Sequence, residues 1–331
     1  MEIGLALPHY DHSVPGAGPL QWSTVVAWAR AAETAGLGSV WLSDHLFLSL
    51  RHWGGPDEAR EGFEPLVALA ALARVTTRVR LGTLVLCPHL RPPGMLAKAL
   101  AGVDVLSGGR LTVGIGAGWF EPEYLAAGLD FPAPAARLER LEETVEVLRL
   151  AFAGEPFDYH GRRLHLEAMV ARPRPVQRPA PPVWVGGTGD RLLGVAARCA
   201  DGWNAGGWSG PLAAYRARAE VLDRACGDAG RDPATLARSV NRLALVGEDE
   251  RDLRARWEHL ASTSVPGTLR GMSLDDYREG RLVGTIDQVR DQLAAWADEG
   301  VTSLVVSLGA LPFTVTEFDA LDLLVSASQE H

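Results

Sequence analysis

The pair Asp44-His45 lies one residue beyond the apolar segment 39–42, where a buried strand is predicted to end. A histidine titrates near neutral pH and can accept or donate a proton, and a neighbouring carboxylate can bind a ligand or tune that histidine. Such a pair at a strand end indicates proton-transfer chemistry. The alternative interpretation is a histidine at the rim of the fold whose hydrogen bonds are satisfied by the protein itself.

A first glycine-rich segment, residues 114–119, reads GIGAGW and follows another predicted strand. Three alternate glycines allow a backbone to approach a flat or anionic ligand closely. A dinucleotide-binding fingerprint would need a small residue where Trp119 stands, and no ribose-binding acid follows at the expected distance. A simple Rossmann site is therefore excluded.

A second glycine-rich segment, residues 185–190, reads VGGTGD and leads directly into a predicted helix. Exposed amides and the positive end of the helix dipole favour binding of a phosphate there. The segment lacks the GxxxxGK[ST] pattern, which excludes a nucleoside triphosphatase loop. Glycines also form plain tight turns, but α/β barrels often bind phosphate in their late βα loops, and this position favours the phosphate interpretation.

Cysteine, histidine and tryptophan residues near other predicted strand ends complete the candidate set. Cys87 could act as a nucleophile, but its sequence surroundings give no sign of a lowered pKa, and a buried thiol is the alternative. Four histidines follow the early strands: His9, His12, His45 and His89. Without an HExxH motif or a close ligand pair, they are predicted to line a pocket, and no metal is predicted. Four tryptophans beside strand ends could wall a planar ligand: Trp41, Trp119, Trp203 and Trp208.

Eight apolar segments alternate with amphipathic helical segments along the chain. The predicted strands are residues 3–7, 39–42, 79–85, 111–115, 183–185, 202–205, 237–246 and 302–308. This alternation predicts an α/β fold, a (β/α)8 TIM barrel with insertions in its βα loops, and the alternative is a doubly wound open sheet. In such a barrel the functional residues lie at the carboxyl ends of the strands.

The chain has 331 residues, a length that at roughly 150 residues per domain suggests about two domains. The alternating series accounts for the whole length, however, so a single domain over residues 1–331 is predicted. Two insertions interrupt it, at about 156–182 and 264–281. In the first, residues 157–166 alternate around a His-Gly pair as in a β-hairpin, and a proline-rich connection follows.

Composition excludes several classes of protein. Hydrophobic residues make up 47% and charged residues 22% of the chain, which is typical of a globular protein and excludes a disordered one. The formal net charge of −9 argues against a nucleic-acid partner. No apolar stretch approaches the roughly 20 residues of a membrane span, and no membrane partner is predicted. Three widely spaced cysteines and no visible targeting signal predict reduced thiols and a cytoplasmic location.

Several motifs, taken in their order and spacing, resemble those of the bacterial luciferase-like flavin and deazaflavin superfamily. They read SDH at 43–45, LGTLV at 81–85, LSGGRL at 106–111, GIGAGW at 114–119, RPRPVQRPAPPVWVGG at 172–187 and ADGWN at 200–204. The chain is most similar to the coenzyme F420-dependent oxidoreductase branch. The resemblance extends over nearly the whole length, to GTIDQV at 284–289, and implies the same barrel.

The resemblance implies roles for the residues that follow the early strands. Asp44 and His45 match the pair that contacts the deazaflavin ring, with the histidine as the proton acceptor in alcohol-oxidising members. Leu84 and Val85 match a bulge in the third strand, often with a non-prolyl cis peptide, that backs the ring. Cys87 matches a position whose side chain approaches the ring.

Further roles follow for the later loops and for the substrate. Gly118 and Trp119 match the loop that passes the ring or the substrate, and Trp203 and Asn204 lie near the phosphate or tail of the cofactor. The cofactor-phosphate loop corresponds to Gly186, Gly187, Thr188 and Gly189. The substrate pocket is assigned to His9, His89, Trp41 and Trp119.

One departure from the family pattern concerns the substrate. Sugar-phosphate dehydrogenases of this group carry an acidic proton donor after the strand-four glycines, and here that position is Trp119. The early loops hold no cluster of basic residues for a substrate phosphate, with Arg51 and Arg91 as the only near candidates. A small, neutral organic substrate in an aromatic-walled pocket is therefore expected.

The resemblance implies an oxidoreductase that transfers a hydride between coenzyme F420 and this substrate, with His45 and Asp44 as catalytic residues. An FMN-dependent, alkanesulfonate monooxygenase-like enzyme is the first alternative, and a non-catalytic flavin-binding protein is the second. By analogy with family members, a homodimer is expected.

Overall fold

The computed structural model describes residues 1–16 and 19–329, and this part of the chain contains eleven β strands. In chain order they are β1 (Glu2–Ala6), β2 (Ser39–Leu42), β3 (Arg80–Thr83), β4 (Leu111–Gly116), β5 (Phe157–His160), β6 (His165–Met169), β7 (Val183–Gly186), β8 (Gly202–Asn204), β9 (Ala237–Gly247), β10 (Leu282–Thr285) and β11 (Ser303–Ser307).

The same residues form eleven α-helices and two short 3-10 helices, Leu50–Trp53 and Pro233–Thr235. The α-helices are α1 (Trp22–Ala35), α2 (Pro65–Val75), α3 (Pro93–Ser107), α4 (Glu121–Ala126), α5 (Pro134–Ala153), α6 (Asp190–Cys199), α7 (Leu212–Asp228), α8 (Glu250–Thr263), α9 (Leu274–Arg278), α10 (Ile286–Asp298) and α11 (Asp319–Ser328). Local signals set their ends. Pro93 begins α3, and Gly36 terminates α1 in the left-handed conformation with a φ of 93°.

The chain divides into two compact units. The first comprises Met1–Phe63, Ala205–Ala217 and Arg238–His331. Its strands pair in parallel in the order β10, β9, β11, β1, β2. Within this unit β9 pairs with two strands: β11 pairs with residues in its first half and β10 with its last four residues. The strands are buried almost throughout, as is usual for parallel strands covered by helices.

The second unit comprises Glu64–Asn204 and Arg218–Ala237. Its parallel strands follow the order β3, β4, β7, β8. A separate antiparallel hairpin, β5 with β6, lies between α5 and β7 in the chain. The carboxylate of Glu143 on α5 accepts the backbone N–H groups of Arg162, Arg163 and Leu164, which ties the hairpin turn to the helix.

The fold class is the (β/α)8 TIM barrel predicted from the sequence. Its eight strands are β1, β2, β3, β4, β7, β8, β9 and β11, and they alternate with helices along the chain. The predicted hairpin is also present. Sequence periodicity missed three short elements, β10, α4 and α9, because four to six residues are too few to show a period. The single-domain boundary stays a prediction.

The end of β3 is held by close packing against β4 and β7. The hydroxyl of Thr83 donates to the Gly114 carbonyl and accepts the Gly114 N–H, at 2.8 and 2.9 Å. The chain then leaves the ladder at Leu84–Val85 and rejoins it at Leu86, whose N–H and C=O both bond to β4. This is the bulge that the family resemblance implies, and its Leu84–Val85 peptide bond is cis, as predicted.

Glycines on β4 and β7 make room for the Val85 side chain. A Cβ atom at Gly116 would lie 2.7 Å from one Val85 methyl group, and a Cβ atom at Gly186 would lie 2.8 Å from the other. The sequence had suggested that the glycines of β4 allow a ligand to approach the backbone. At Gly114 and Gly116 this interpretation is wrong, because the space is filled by the protein itself.

No described helix is long and apolar enough to cross a membrane. Among the described residues, Cys87, Cys199 and Cys226 form no disulfide bond. The cytoplasmic location, the homodimer and the absence of nucleic-acid and membrane partners stay predictions.

We expect Gly116→Ala to lower the free energy of unfolding by about 1–3 kcal/mol, because the new methyl group overlaps Val85. Combining it with Val85→Ala should restore part of this loss, because the overlapping methyl groups are removed. The control is Gly102→Ala, in α3 with no atom within 4 Å of its Cβ, which should stabilise by about 0.5–1 kcal/mol. Urea unfolding of the four proteins measures these changes, and equal effects at positions 116 and 102 would contradict the packing argument.

Candidate active site

In the first unit, β2 delivers the Ser43-Asp44-His45 sequence to its carboxyl end. All four residues of β2 are buried, and Ser43 and Asp44 remain buried beyond it. His45 is the first residue of this segment with accessible surface. The arrangement leaves one imidazole partly exposed beside a buried carboxyl-bearing residue, as a proton-transferring pair requires.

A buried hydrogen-bond chain fixes Ser43. The Tyr10 hydroxyl lies 2.5 Å from Ser43 Oγ, and Ser43 Oγ lies 3.1 Å from His9 Nε2. His9 Nδ1 lies 2.9 Å from the Leu7 carbonyl oxygen. A carbonyl can only accept, so Nδ1 carries the ring proton and Nε2 is an acceptor. The Ser43 backbone N–H donates to Nε2 at 3.3 Å, and either hydroxyl of the Tyr10–Ser43 pair can be the donor.

His9 is neutral in this chain of bonds. Burial lowers the pKa of its imidazole to about 3, and any positive charge on His12 or His45 lowers it further. The sequence had assigned His9 to the substrate pocket. That assignment is corrected, because the ring is fully buried and both nitrogens bond within the protein. His9 positions Ser43, the residue directly before Asp44.

Aromatic rings enclose this buried chain. The Phe313 ring packs edge-on against His9 and against Trp208, with centroids 4.9 and 5.2 Å apart. Phe313 has a φ of 58°, which is uncommon for a large side chain. Sequence reasoning missed it, because nothing local marks a residue 304 positions beyond His9. His12 stacks on Tyr10 and contacts Asp11 through Nδ1 at 3.3 Å.

Trp41 lies in the core. It is 1% exposed, and its indole N–H donates to Ser39 Oγ at 2.9 Å. A Cβ atom at Gly4 would meet this indole nitrogen, so the ring fills the space beside β1. The sequence-based assignment of Trp41 to the substrate pocket is therefore corrected to a packing role.

In the second unit, the bulge after β3 brings Cys87 against the glycine loop after β4. Cys87 Sγ lies 3.0 Å from the hydroxyl of Tyr124 on α4. Gly118 has a φ of 74°, and a Cβ atom there would overlap both Tyr124 and Cys87. Cys87 thus meets two residues of a later segment, Gly118 and Tyr124, although nothing in the sequence pointed to Tyr124. Burial raises the pKa of its hydroxyl, which stays protonated.

Trp119 and His89 lie at the accessible edge of this group. Trp119 is 50% exposed and packs beside the Phe120 ring, with centroids 5.3 Å apart. His89 is half-buried, with its ring 5.6 Å from that of Tyr124. Both can contact a ligand, consistent with their assignment to the substrate pocket, which stays a prediction.

The predicted phosphate loop is held by two hydrogen bonds and leads into α6. The Gly187 N–H donates to the Asn204 carbonyl at 3.0 Å, and the Trp203 indole N–H donates to the Gly187 carbonyl at 2.7 Å. Trp203 and Asn204 are buried and brace the loop from within. Gly189 precedes α6 and supplies no side-chain cap, which leaves first-turn amides for a ligand. Asp190 opposes an anion there, but it is paired with Arg218.

One cavity of about 230 Å³ lies elsewhere in the first unit, and none of the predicted site residues lines it. Its walls come from β9, α8, α11 and the segment after β11, and they include Ala244, Val246, Arg256, His259, Leu308 and Glu317. Arg256 there is paired with Asp252 and Asp319. Among residues 1–16 and 19–329, no three His, Cys, Asp or Glu side chains are grouped to hold a metal ion.

Comparison with known proteins shows the family of this chain. The model of the luciferase-like monooxygenase family matches residues 1–303. The F420-dependent hydroxymycolic acid dehydrogenase of Mycobacterium tuberculosis is 30% identical over 300 residues, covering 87% of this chain and 78% of the relative.

Two solved structures share the fold. One is the monooxygenase RslO1 from Streptomyces bottropensis, with a TM-score of 0.79 and 24% identity over 99% of this chain and 98% of the other. The second is the coenzyme F420-dependent tetrahydromethanopterin reductase from Methanopyrus kandleri, with a TM-score of 0.77 and 19% identity over 98% and 97%.

The buried His9 predicts how stability depends on pH. Its folded pKa of about 3 lies below the ordinary value of 6.5, so between these values the unfolded chain binds a proton that the folded chain does not. The free energy of unfolding therefore does not vary with the titration of this group above pH 6.5. It decreases by about 1.4 kcal/mol per pH unit as the pH falls from 6.5 toward 3. Urea unfolding between pH 7 and pH 4 gives the free energy of unfolding as a function of pH. For His9→Asn this dependence should be shallower than in wild type by the amount expected for one bound proton. The exposed control His259→Asn should keep the wild-type slope, and an unchanged slope for His9→Asn would contradict this assignment.

Proposed function

Because the chain belongs to the luciferase-like monooxygenase family and is an enzyme of it, we propose that it transfers a hydride between coenzyme F420 and a small organic substrate. The observation that carries this proposal is the accessible His45 beside the buried Asp44, held by the Tyr10–Ser43–His9 chain. The relationship to an F420-dependent dehydrogenase over 87% of the chain supports the choice of cofactor.

The residues of the second unit fit the parts of such a cofactor. The loop Gly186–Gly189 and the first turn of α6 offer amides to a phosphate. Val85, half-buried in its glycine cradle, offers an apolar surface to a flat ring, with Cys87 and Gly118 close to the same bulge. When bound, the deazaflavin supplies or accepts the hydride, and the protein supplies orientation and exclusion of water.

His45 is assigned the proton. In alcohol oxidation the carbinol carbon loses a hydride and the hydroxyl group loses a proton, and the imidazole of His45 accepts that proton. In the opposite direction the same imidazole returns it. Asp44 is assigned to hold the ring or to orient His45, and the Ser43 hydrogen bonds keep the segment in place.

The basic residues that the sequence offered for a substrate anion are already paired. Arg51 is exposed and bonds to Asp57, and Arg91 bonds to Glu64. Trp119 presents an apolar face that suits a hydrocarbon part of the substrate. These observations support a substrate that makes apolar contacts near Trp119.

An FMN-dependent monooxygenase is the second candidate function. The observation that favours it is the fold shared with the monooxygenase RslO1. The phosphate loop suits either cofactor, since both carry a phosphate group. Direct comparison of the two cofactors separates the candidates.

We expect the purified chain to bind F420 at least about 10-fold more tightly than FMN. Titrating each cofactor and following its visible fluorescence gives both dissociation constants. The control is Gly189→Asp, which places a negative charge in the phosphate loop and should weaken both. Tight binding of FMN with no binding of F420 would overturn the proposal in favour of the monooxygenase.

We expect His45→Ala to lower turnover by about 100-fold to 10,000-fold, which is the usual contribution of a positioned acid or base. Its dissociation constant for F420 should stay within about 3-fold of wild type, because the phosphate loop is unchanged. Stopped-flow reduction of F420 with a panel of alcohols measures the first quantity. The exposed control His259→Ala should behave as wild type, and full turnover in His45→Ala would remove the proton role.

A further inference from the structure

Two arginines of α5 lie beside the turn that follows β3. Arg140 Nε donates to the Pro88 carbonyl at 3.4 Å, next to Cys87 and His89. Arg137, one turn earlier on the same helix, stacks its guanidinium 4.1 Å above the Phe131 ring. Phe131 packs edge-on against Tyr124, whose hydroxyl contacts Cys87. The two positive charges therefore border the group formed by Cys87, Tyr124 and Gly118.

In the described part of the chain, neither arginine has a carboxylate within ion-pair distance, in contrast to several exposed arginines of the second unit. The charge of Glu143 acts on Arg140, but its carboxylate accepts the backbone N–H groups of the hairpin turn. Ion pairs join Arg91 to Glu64, Arg149 to Asp201, Arg163 to Glu139 and Arg198 to Glu142. Within residues 1–16 and 19–329, Arg137 and Arg140 form no such pair. Arg137 spends one donor on the Pro132 carbonyl, while its Nε is buried without a partner. The terminal nitrogens of Arg140 have no hydrogen-bond acceptor in the described structure.

His89 adds a neutral polar group to the two charges. Its Nδ1 is buried and has no hydrogen-bond partner in the described part of the chain. Burial lowers the pKa of the imidazole to about 4, and the charges of Arg140 and Arg137 lower it further. Arg140 bonds to the carbonyl of Pro88, the residue directly before His89. At neutral pH the ring is uncharged and can donate or accept one hydrogen bond.

Half-buried charges without partners are unfavourable unless something neutralises them. Burial lowers the pKa of Arg140, in keeping with that cost. Guanidinium groups bind carboxylate and phosphate oxygens with paired, charge-assisted hydrogen bonds. A ligand with such a group would satisfy the terminal nitrogens of Arg140, the free donors of Arg137 and the His89 ring together.

We propose that Arg137, Arg140 and His89 form an anion subsite that binds a carboxylate or phosphate group of the substrate. This inference rests on the proposed function and names its substrate class. It replaces the neutral substrate expected from the sequence, which considered only the basic residues of the early loops. With Trp119 nearby in the chain after Gly118, the geometry suits an amphiphilic substrate that carries an apolar body and an anionic end.

The assignment to substrate rather than cofactor follows from position. The cofactor phosphate is assigned to the loop Gly186–Gly189, after β7, where Trp203 and Asn204 brace the turn. Arg137 and Arg140 instead adjoin Cys87 and Tyr124, after β3 and on α4. The two anion-binding places are formed by different elements of the second unit, so each can be tested alone.

The first test uses the full chain and simple probes. Calorimetric titration with hexanoate and with inorganic phosphate measures the dissociation constant of each anion. Hexan-1-ol serves as the neutral counterpart of hexanoate. We expect Arg140→Gln and Arg137→Gln each to weaken binding of at least one anion by about 10-fold or more, because hydrogen bonds to charged groups are lost. Binding of hexan-1-ol should not change. The control Arg163→Gln removes an equal charge from the exposed hairpin and should bind as wild type.

Arg140→Lys keeps the positive charge at this position. It tests whether the weaker anion binding of Arg140→Gln arises from misfolding. It should unfold at the wild-type temperature and bind the anion with intermediate affinity, since an ammonium cannot replace the paired donors. Equal affinity of wild type and Arg140→Gln for both anions would overturn the subsite. So would equal weakening by Arg163→Gln.

A second test separates the sources of the anion. F420 and the corresponding deazariboflavin, which lacks the phosphate side chain, are titrated against wild type and Arg140→Gln. Unchanged affinity for both, with weakened hexanoate or phosphate binding, supports a substrate subsite. Weakened binding of F420 with unchanged binding of the deazariboflavin would assign the arginines to the cofactor and overturn the substrate assignment. If F420 fails to bind any form while anion binding still depends on Arg140, the subsite is supported and the proposed function is overturned.

Discussion

The side chain of Val85 occupies space that Gly116 and Gly186 leave open on β4 and β7, and the second unit is arranged around this contact. The bulge at Leu84–Val85 lets the chain rejoin β4 at Leu86. From there it turns into Cys87 and the residues that meet Tyr124 and Arg140. A methyl group on either glycine would displace Val85, and the neighbouring segments would shift with it.

In the first unit, the burial of His9 holds the neighbouring residues in place. Burial keeps His9 neutral, and neutrality makes its Nε2 an acceptor for Ser43. The imidazole that remains accessible is His45, two residues further along. One buried histidine thus supports the segment, and the second, partly exposed histidine is the one to which the proposed function assigns the proton.

In the described part of the second unit, several exposed arginines form ion pairs with carboxylates, whereas Arg137 and Arg140 do not. Arginines such as Arg163 and Arg198 are compensated by carboxylates, which stabilise the surface only slightly. Arg137 and Arg140 lack that compensation among the described residues, and they adjoin the Cys87–Tyr124 contact instead. The protein thereby keeps two guanidinium groups available beside the proposed substrate position.

By itself the sequence determined the barrel class, because the alternation of apolar segments with amphipathic helices is a local pattern. The bulge at Leu84–Val85 was expected only from the resemblance to the family, and the structure contains it. The sequence misassigned His9 and Trp41, which are buried and bonded within the protein. It also missed Tyr124, Phe313 and the arginines of α5. Only the tertiary structure decided these, because burial, hydrogen-bond partners and unpaired charge depend on which distant residues pack together, and no local pattern records such contacts.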